Sequence, residues 1–141
     1  MDDEFERGNA FLEGSDSKDW FIGHWLPKNT IKRDARLEVK LSEHKETYEN
    51  MSKEMDGKAY EDCTTLTMLI SGRFTQIMPG ARRKERKEVK LRNMGDYVMW
   101  GPGVDHGWRA EEEGTIMITI RWPSIDRGKV KKKLELISQG T

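Results

Sequence analysis

Between Gly95 and Arg109 the chain runs Gly-Asp-Tyr-Val-Met-Trp-Gly-Pro-Gly-Val-Asp-His-Gly-Trp-Arg, and the Gly101-Pro102-Gly103 turn inside it is the strongest local constraint on the fold. The two glycines open backbone angles closed to other residues and Pro102 fixes its own φ, so the chain reverses within a few residues. A strand over residues 96–100 enters the turn, and a second over 106–110 leaves it. His106, opening the second strand, is thereby set on a rigid mount beside the first.

Short strands separated by turns recur along the rest of the chain. Residues 20–26, Trp-Phe-Ile-Gly-His-Trp-Leu, form an apolar strand that ends at Pro27, which has no N–H to give a ladder. Residues 36–44 alternate, with Leu37, Val39 and Leu41 on one face and Glu38, Lys40, Ser42 and His44 on the other. The period of two predicts a half-buried strand with the leucine and valine face inward and the polar face toward solvent. Residues 45–62 carry few apolar groups and no periodicity, which predicts a long loop. Residues 64–71 are rich in β-branched side chains, and the Ser71-Gly72 turn joins them to 73–78 as a hairpin. Strands over 88–91 and 115–122 complete the set; in the latter Ile116, Ile118, Ile120 and Trp122 share a face. Residues 1–18 read as a flexible arm, and 125–139 place Val130, Leu134 and Ile137 at a spacing that fits a short amphipathic helix. The expectation is one all-β domain over 19–124, a sandwich or barrel, between an N-terminal arm and a C-terminal tail of 125–141.

Charge and cysteine use narrow the function classes. The 25 basic residues balance the 25 acidic ones, which argues against a molecule-wide field for nucleic acid or membrane. The basic stretch over 82–87 lacks the interleaved aromatics of a nucleic-acid surface and fits a solvated loop, as does 129–133. Cys63, the single cysteine, cannot form an internal disulfide. The acidic N-terminus has no apolar core of the secretory kind, and no run approaches the roughly 20 apolar residues that span a bilayer. A cytoplasmic protein is the expectation. Phosphate-cradling glycine loops, GxSxG, HExxH and paired-cysteine metal signatures do not occur.

Residues 64–122 resemble the cupin family, single-domain double-stranded β-helix barrels of the jelly-roll kind. The family's second motif has the form G(x)5PxGxxH(x)3N. Here Gly95 is its first glycine, Gly101 stands where the motif has proline, Gly103 is its second glycine, His106 its histidine, and Ala110 replaces the asparagine. The run Thr-Thr-Leu-Thr-Met-Leu-Ile-Ser-Gly resembles the strand ending the first motif, with Gly72 as its terminal glycine. Counting back from Gly72 puts Thr65 where that motif has glutamate. Its two histidine positions fall on Ala59 and Glu61, or on Lys58 and Tyr60. The resemblance therefore implies the fold without the family's metal triad. It also implies that His106 faces the barrel interior, and it suggests a homodimer, for which the apolar strand over 20–26 could cover a sheet edge.

The candidate ligand pocket comprises His106, Trp108, Tyr97, Trp100 and His44, with Gly95, Gly101, Pro102 and Gly103 shaping the turn. Strand parity separates Trp100 from Tyr97, so these cannot all face one cavity. His106 has three possible roles: metal ligand, general base, or hydrogen-bonding group at the barrel mouth; as a structural residue it ties the turn through Asp105. His24, between Gly23 and Trp25, reads as structural. The leading expectation is a barrel that binds an unidentified small polar or aromatic molecule, without a tightly held metal, as a sensor or binding module. The alternative is a divergent enzyme, either metal-dependent through His106, His44 and a carboxylate such as Glu61, or metal-free with His106 as base. A third possibility is an interaction protein that needs no pocket chemistry.

Overall fold

The computed structural model describes residues 5–50, 62–79 and 85–124. One short helix, α1 (Ala10–Gly14), precedes nine strands: β1 (Trp20–Ile22), β2 (Glu38–His44), β3 (Tyr48–Asn50), β4 (Thr64–Ser71), β5 (Phe74–Pro79), β6 (Arg86–Leu91), β7 (Tyr97–Trp100), β8 (Gly107–Ala110) and β9 (Thr115–Trp122). They form two antiparallel sheets, one in the order β1-β2-β9-β4-β7 and the other β3-β8-β5-β6. Among the described residues no helix is long and apolar enough to cross a membrane.

Turn chemistry sets the strand boundaries. The β4–β5 turn holds Gly72 at φ +99°, and a Cβ there would lie 2.4 Å from Thr115 Oγ1, so only glycine fits. Gly95 and Gly103 also have positive φ, at +93° and +77°. The strand expected over 20–26 ends at Ile22: Gly23 leaves the β1–β2 ladder to bridge Arg33, and the Trp25 ring folds back over it, 1.8 Å from where a Cβ would sit. Within the expected 45–62 loop, residues 48–50 pair with β8 as the short edge strand β3, while 51–61 lie outside the described residues. Part of the basic stretch, Arg86 and Lys87, belongs to β6.

The arm is pinned rather than loose over its described part. Asn9 caps α1, its Oδ1 accepting from the Phe11 and Leu12 amides at 3.0 and 3.2 Å. The Glu6 carboxylate accepts from the Thr30 hydroxyl at 2.7 Å and the Ile31 amide at 2.8 Å, and Lys32 pairs with Glu13. The C-terminal helix expected over 125–139 lies outside the described residues.

The faces of the first sheet reverse the parity expectation. His44 of β2 meets Phe74 and Trp108 on the opposite sheet, and Leu69 and Met117 join Phe74, Leu91 and Ala110 in the apolar core. The polar face of β2 therefore points into the barrel, together with Thr65 and Thr67 of β4 and Thr119 and Arg121 of β9, all four under 9% exposed. Ile116, Ile118, Ile120, Leu66 and Met68 lie on the other, half-buried face. Hydrophobic alternation fixed which residues share a face but not which face is inside, because both sides of this sheet carry apolar residues.

Candidate functional site

Cross-strand register sorts the barrel interior into rows. Glu38, Arg121, Thr65 and Trp100 form one row, and Lys40, Thr119, Thr67 and Val98 the next. Beyond them lie Ser42, Met117 and Leu69, then His44 and Thr115. One end of the barrel is thus plugged by the apolar core, while the other is walled by charged, hydroxyl and indole groups. That polar end opens into a cavity of about 680 Å³.

Three indoles, Trp20, Trp25 and Trp108, border the cavity along with His24, Glu38, Lys40 and Arg121. Arg121 lies 4.6 Å and the Lys40 ammonium 5.1 Å from the centre of the Trp20 ring, so two cations share one indole. Glu38, 2% exposed, accepts from Arg121 Nη1 at 3.4 Å and from the Ser124 hydroxyl at 3.1 Å. Ser124 Oγ in turn lies 2.6 Å from His24 Nδ1 and accepts from the His24 amide at 3.0 Å. Arg121, Glu38, Ser124 and His24 form one continuous polar chain ending at the cavity wall. Thr67 and Thr119 share a buried hydrogen bond of 3.1 Å in the next row. The Trp25 indole N–H is buried and meets no acceptor among the described residues.

The rim is carried by a tight turn between α1 and β1, which supplies Asp16, Ser17 and Lys18. Lys18 and Asp19 are non-glycine residues in the left-handed region, at φ 52° and 73°. The turn is held there by the Asp19 amide donating to Gly14 O at 2.8 Å, the Trp20 amide to Ser17 O at 3.0 Å and the Leu41 amide to Asp19 O at 3.3 Å.

The structure disperses the residues that the sequence groups as a pocket. Trp108 reaches the cavity, and Trp100 is buried on the Glu38 row with its ring 4.5 Å from that of His106. His106 donates its amide to Asp105 Oδ1 at 2.9 Å, and its Nδ1 lies 3.1 Å from Val104 O, the turn-tying arrangement. Tyr97 is 60% exposed on the outer sheet face, one residue out of phase with the inward Val98 and Trp100. His44 faces inward, as a solvent-facing strand residue would not, but it packs in the apolar end, its ring 4.6 Å from Trp108 and 5.8 Å from Phe74. Burial lowers its pKa first, Lys40 lowers it further and Asp19 opposes both. Glu61 lies outside the described residues.

Among the described residues no three metal-ligating side chains gather in one place. At the position where the family motif has its carboxylate, Thr65 presents a buried hydroxyl 3.6 Å from Cys63 Sγ. A neutral hydroxyl thus stands where the motif has an anionic ligand, and the motif's histidine positions, within 58–61, lie outside the described residues.

Trp20, His24, Trp25, Glu38, Lys40 and Arg121 are the functional candidates that sequence reasoning missed. One signal was available for part of this set. Both β4 and β9 alternate larger aliphatic residues with threonine over part of their length, a pattern compatible with either side facing in, and Arg121 of β9 and Glu38 of the equally alternating β2 are opposite charges.

No protein-family model matches the chain, and a search of curated proteins finds no match. Solved structures do match. KdgF from Halomonas sp. is 16% identical, with a TM-score of 0.53 over 66% of this chain and 74% of that one. An HTH_3 family transcriptional regulator from Vibrio cholerae is 16% identical, with a TM-score of 0.50 over 79% of this chain and 57% of that one. An RmlC-like cupin protein from Desulfovibrio desulfuricans is 14% identical, with a TM-score of 0.48 over 65% and 76%. At these identities the likeness concerns the backbone alone: it agrees with the two antiparallel sheets and their order, and the chain has a cupin-type double-stranded β-helix fold.

Proposed function

We propose that this cupin-fold protein is a binding module for a small polar or aromatic molecule held at the open end of the barrel. The observation that carries the proposal is the cavity of about 680 Å³ in which buried charged groups and indoles converge. Its volume lies in the range of small-molecule sites, roughly 300–1,000 Å³, and the mixture of apolar wall with a few fixed polar groups is what orients a ligand. Charged side chains inside a barrel are costly to keep, and Glu38 and Arg121 are each under 9% exposed. A ligand-binding role gives that cost a purpose beyond stability.

A thermal-shift screen of polar and aromatic compounds on the full chain tests this. Hits are expected to raise the melting temperature of the native protein and to lose that effect in Trp108→Ala. A screen without hits, together with a soaked crystal showing only water at the Trp20 wall, would overturn the proposal. The metal-dependent alternative built on His106 and His44 is tested separately by elemental analysis of untagged protein beside His106→Ala. About one transition metal per chain, lost in the variant, would establish it. For assembly we propose a homodimer; light scattering that finds only a 16.4 kDa species would rule it out.

A further inference from the structure

We infer that His24 offers an unprotonated Nε2 to the cavity, and that the site selects a planar aromatic molecule carrying a hydroxyl or ring N–H donor. The inference rests on the ligand-binding proposal above and specifies the class of ligand.

The tautomer follows from the protons around Ser124. A serine hydroxyl has one proton to give and two lone pairs with which to accept. Ser124 gives its proton to Glu38 Oε2 at 3.1 Å and accepts from the His24 amide at 3.0 Å. Its second lone pair then faces His24 Nδ1 at 2.6 Å, a separation that calls for a proton on the nitrogen. Were Nδ1 bare, Ser124 would have to turn its proton from a carboxylate to a neutral ring, and Glu38, 2% exposed, would lose a charge-assisted donor. The stronger bond keeps the proton on the Glu38 side. His24 is thereby held as the Nδ1–H tautomer, which leaves the lone pair on Nε2.

The relay is anchored at both ends. Arg121 Nη1 reaches the other oxygen of Glu38 at 3.4 Å, and the Trp25 ring stands at 90° to the His24 imidazole with centroids 5.6 Å apart. His24 borders the cavity, and no described residue donates to its Nε2. A bound molecule with a donor completes that nitrogen. A carboxylate or phosphate brings only lone pairs to it and does not.

The body of the ligand follows from the indoles. Trp20, Trp25 and Trp108 give the cavity flat apolar surface. Trp108 is stacked on Phe74, with the ring planes 18° apart and centroids 5.5 Å apart, which steadies it. A flat ring against these walls with one donor directed at His24 meets both features, and a site built around such a bond rejects an analogue that lacks the donor.

Two measurements test this. Nitrogen-15 NMR of the full chain without ligand, in mildly alkaline buffer, reads the tautomer of each histidine, with His44→Gln and His106→Ala assigning the other two. The Nδ1–H form is expected at His24, and Ser124→Ala, which removes a positioning residue, is expected to shift it toward a mixture. An Nε2–H form in the native chain would overturn the inference and leave the ligand-binding proposal standing. Phenol with fluorobenzene, indole with benzofuran, and 2-naphthol with 2-fluoronaphthalene are then titrated by calorimetry. At least one donor is expected to bind about fivefold or more tightly than its partner, the worth of one hydrogen bond, and His24→Phe is expected to erase that preference. Equal binding within every pair, or a preference that survives in His24→Phe, would also overturn the inference alone. If no compound of any class binds, both fall. Should His24→Phe fail to fold, the native tautomer and the native-chain pairs still decide.

Discussion

Burial holds the His44 imidazole below its ordinary pKa, with Lys40 repelling the proton as well and Asp19 partly offsetting them. In the unfolded chain the same group titrates near about 6.5. Between the lowered folded value and about 6.5 the unfolded chain holds the proton and the folded one does not, so stability rises with pH through that window. The contribution is complete above about 6.5 and is lost as the pH falls toward the folded pKa. The fall in urea midpoint between pH 7.5 and pH 5.5 is therefore expected to be smaller in His44→Gln than in the native chain. An identical fall in both would show that His44 does not titrate differently on folding. His44 also shows how far a single residue is legible: its period-two neighbours were plain in the sequence, while its direction was set by Phe74 and Trp108 on the other sheet, thirty or more positions away.

At the scale of elements, the junction between β4 and β5 depends on one missing side chain. Gly72 has φ +99°, and Thr115, fully buried, lies against it with its hydroxyl accepting from the Arg73 amide at 3.2 Å and donating to Glu112 O at 2.6 Å. Gly72→Ala is expected to destabilise the fold by about 1–3 kcal/mol, read as a lower urea midpoint, since both the backbone angle and the close approach to Thr115 are violated. A different accounting governs the β4–β9 contact at Thr67 and Thr119. Either threonine changed alone to valine leaves the other hydroxyl buried without its partner and is expected to cost about 1 kcal/mol, whereas the double change is expected to be close to neutral. Additive losses in that cycle would show that the two hydroxyls do not act as a pair. Strands, turns and the β4–β5 hairpin were legible because glycine, proline and alternation act locally. The cavity was not, because its wall joins Trp20, Lys40, Trp108 and Arg121 from four strands through the register of the sheets. The inward threonines of β4 and β9 carry no mark distinguishing them from solvent-facing ones.

At the scale of the whole molecule, aliphatic residues among the described ones concentrate in a plug at one end of the barrel and on the outer face of the first sheet, leaving the other end to charged, hydroxyl and indole groups. That division explains how a chain with equal charged and hydrophobic fractions, 35% each, closes a barrel and still keeps a cavity. It also predicts an uneven pattern of protection. Amides of β9, paired on both sides, are expected to exchange with solvent most slowly, and those of α1 and the three-residue β1 at the sheet edge earliest. Faster exchange in β9 than in β1 would contradict this order.

The same placement of β9 bears on synthesis. β9 lies between β2 and β4, yet it is the last described strand to emerge, more than 70 residues after β2 begins. Until it arrives, β2 has only β1 and β4 only β7 beside it in that sheet, each with a hydrogen-bonding edge left open. A growing chain therefore cannot complete the barrel in stages. It must carry two unfinished half-sheets, the form in which neighbouring nascent chains pair wrongly and chaperones intervene, until residues 115–122 clear the ribosome.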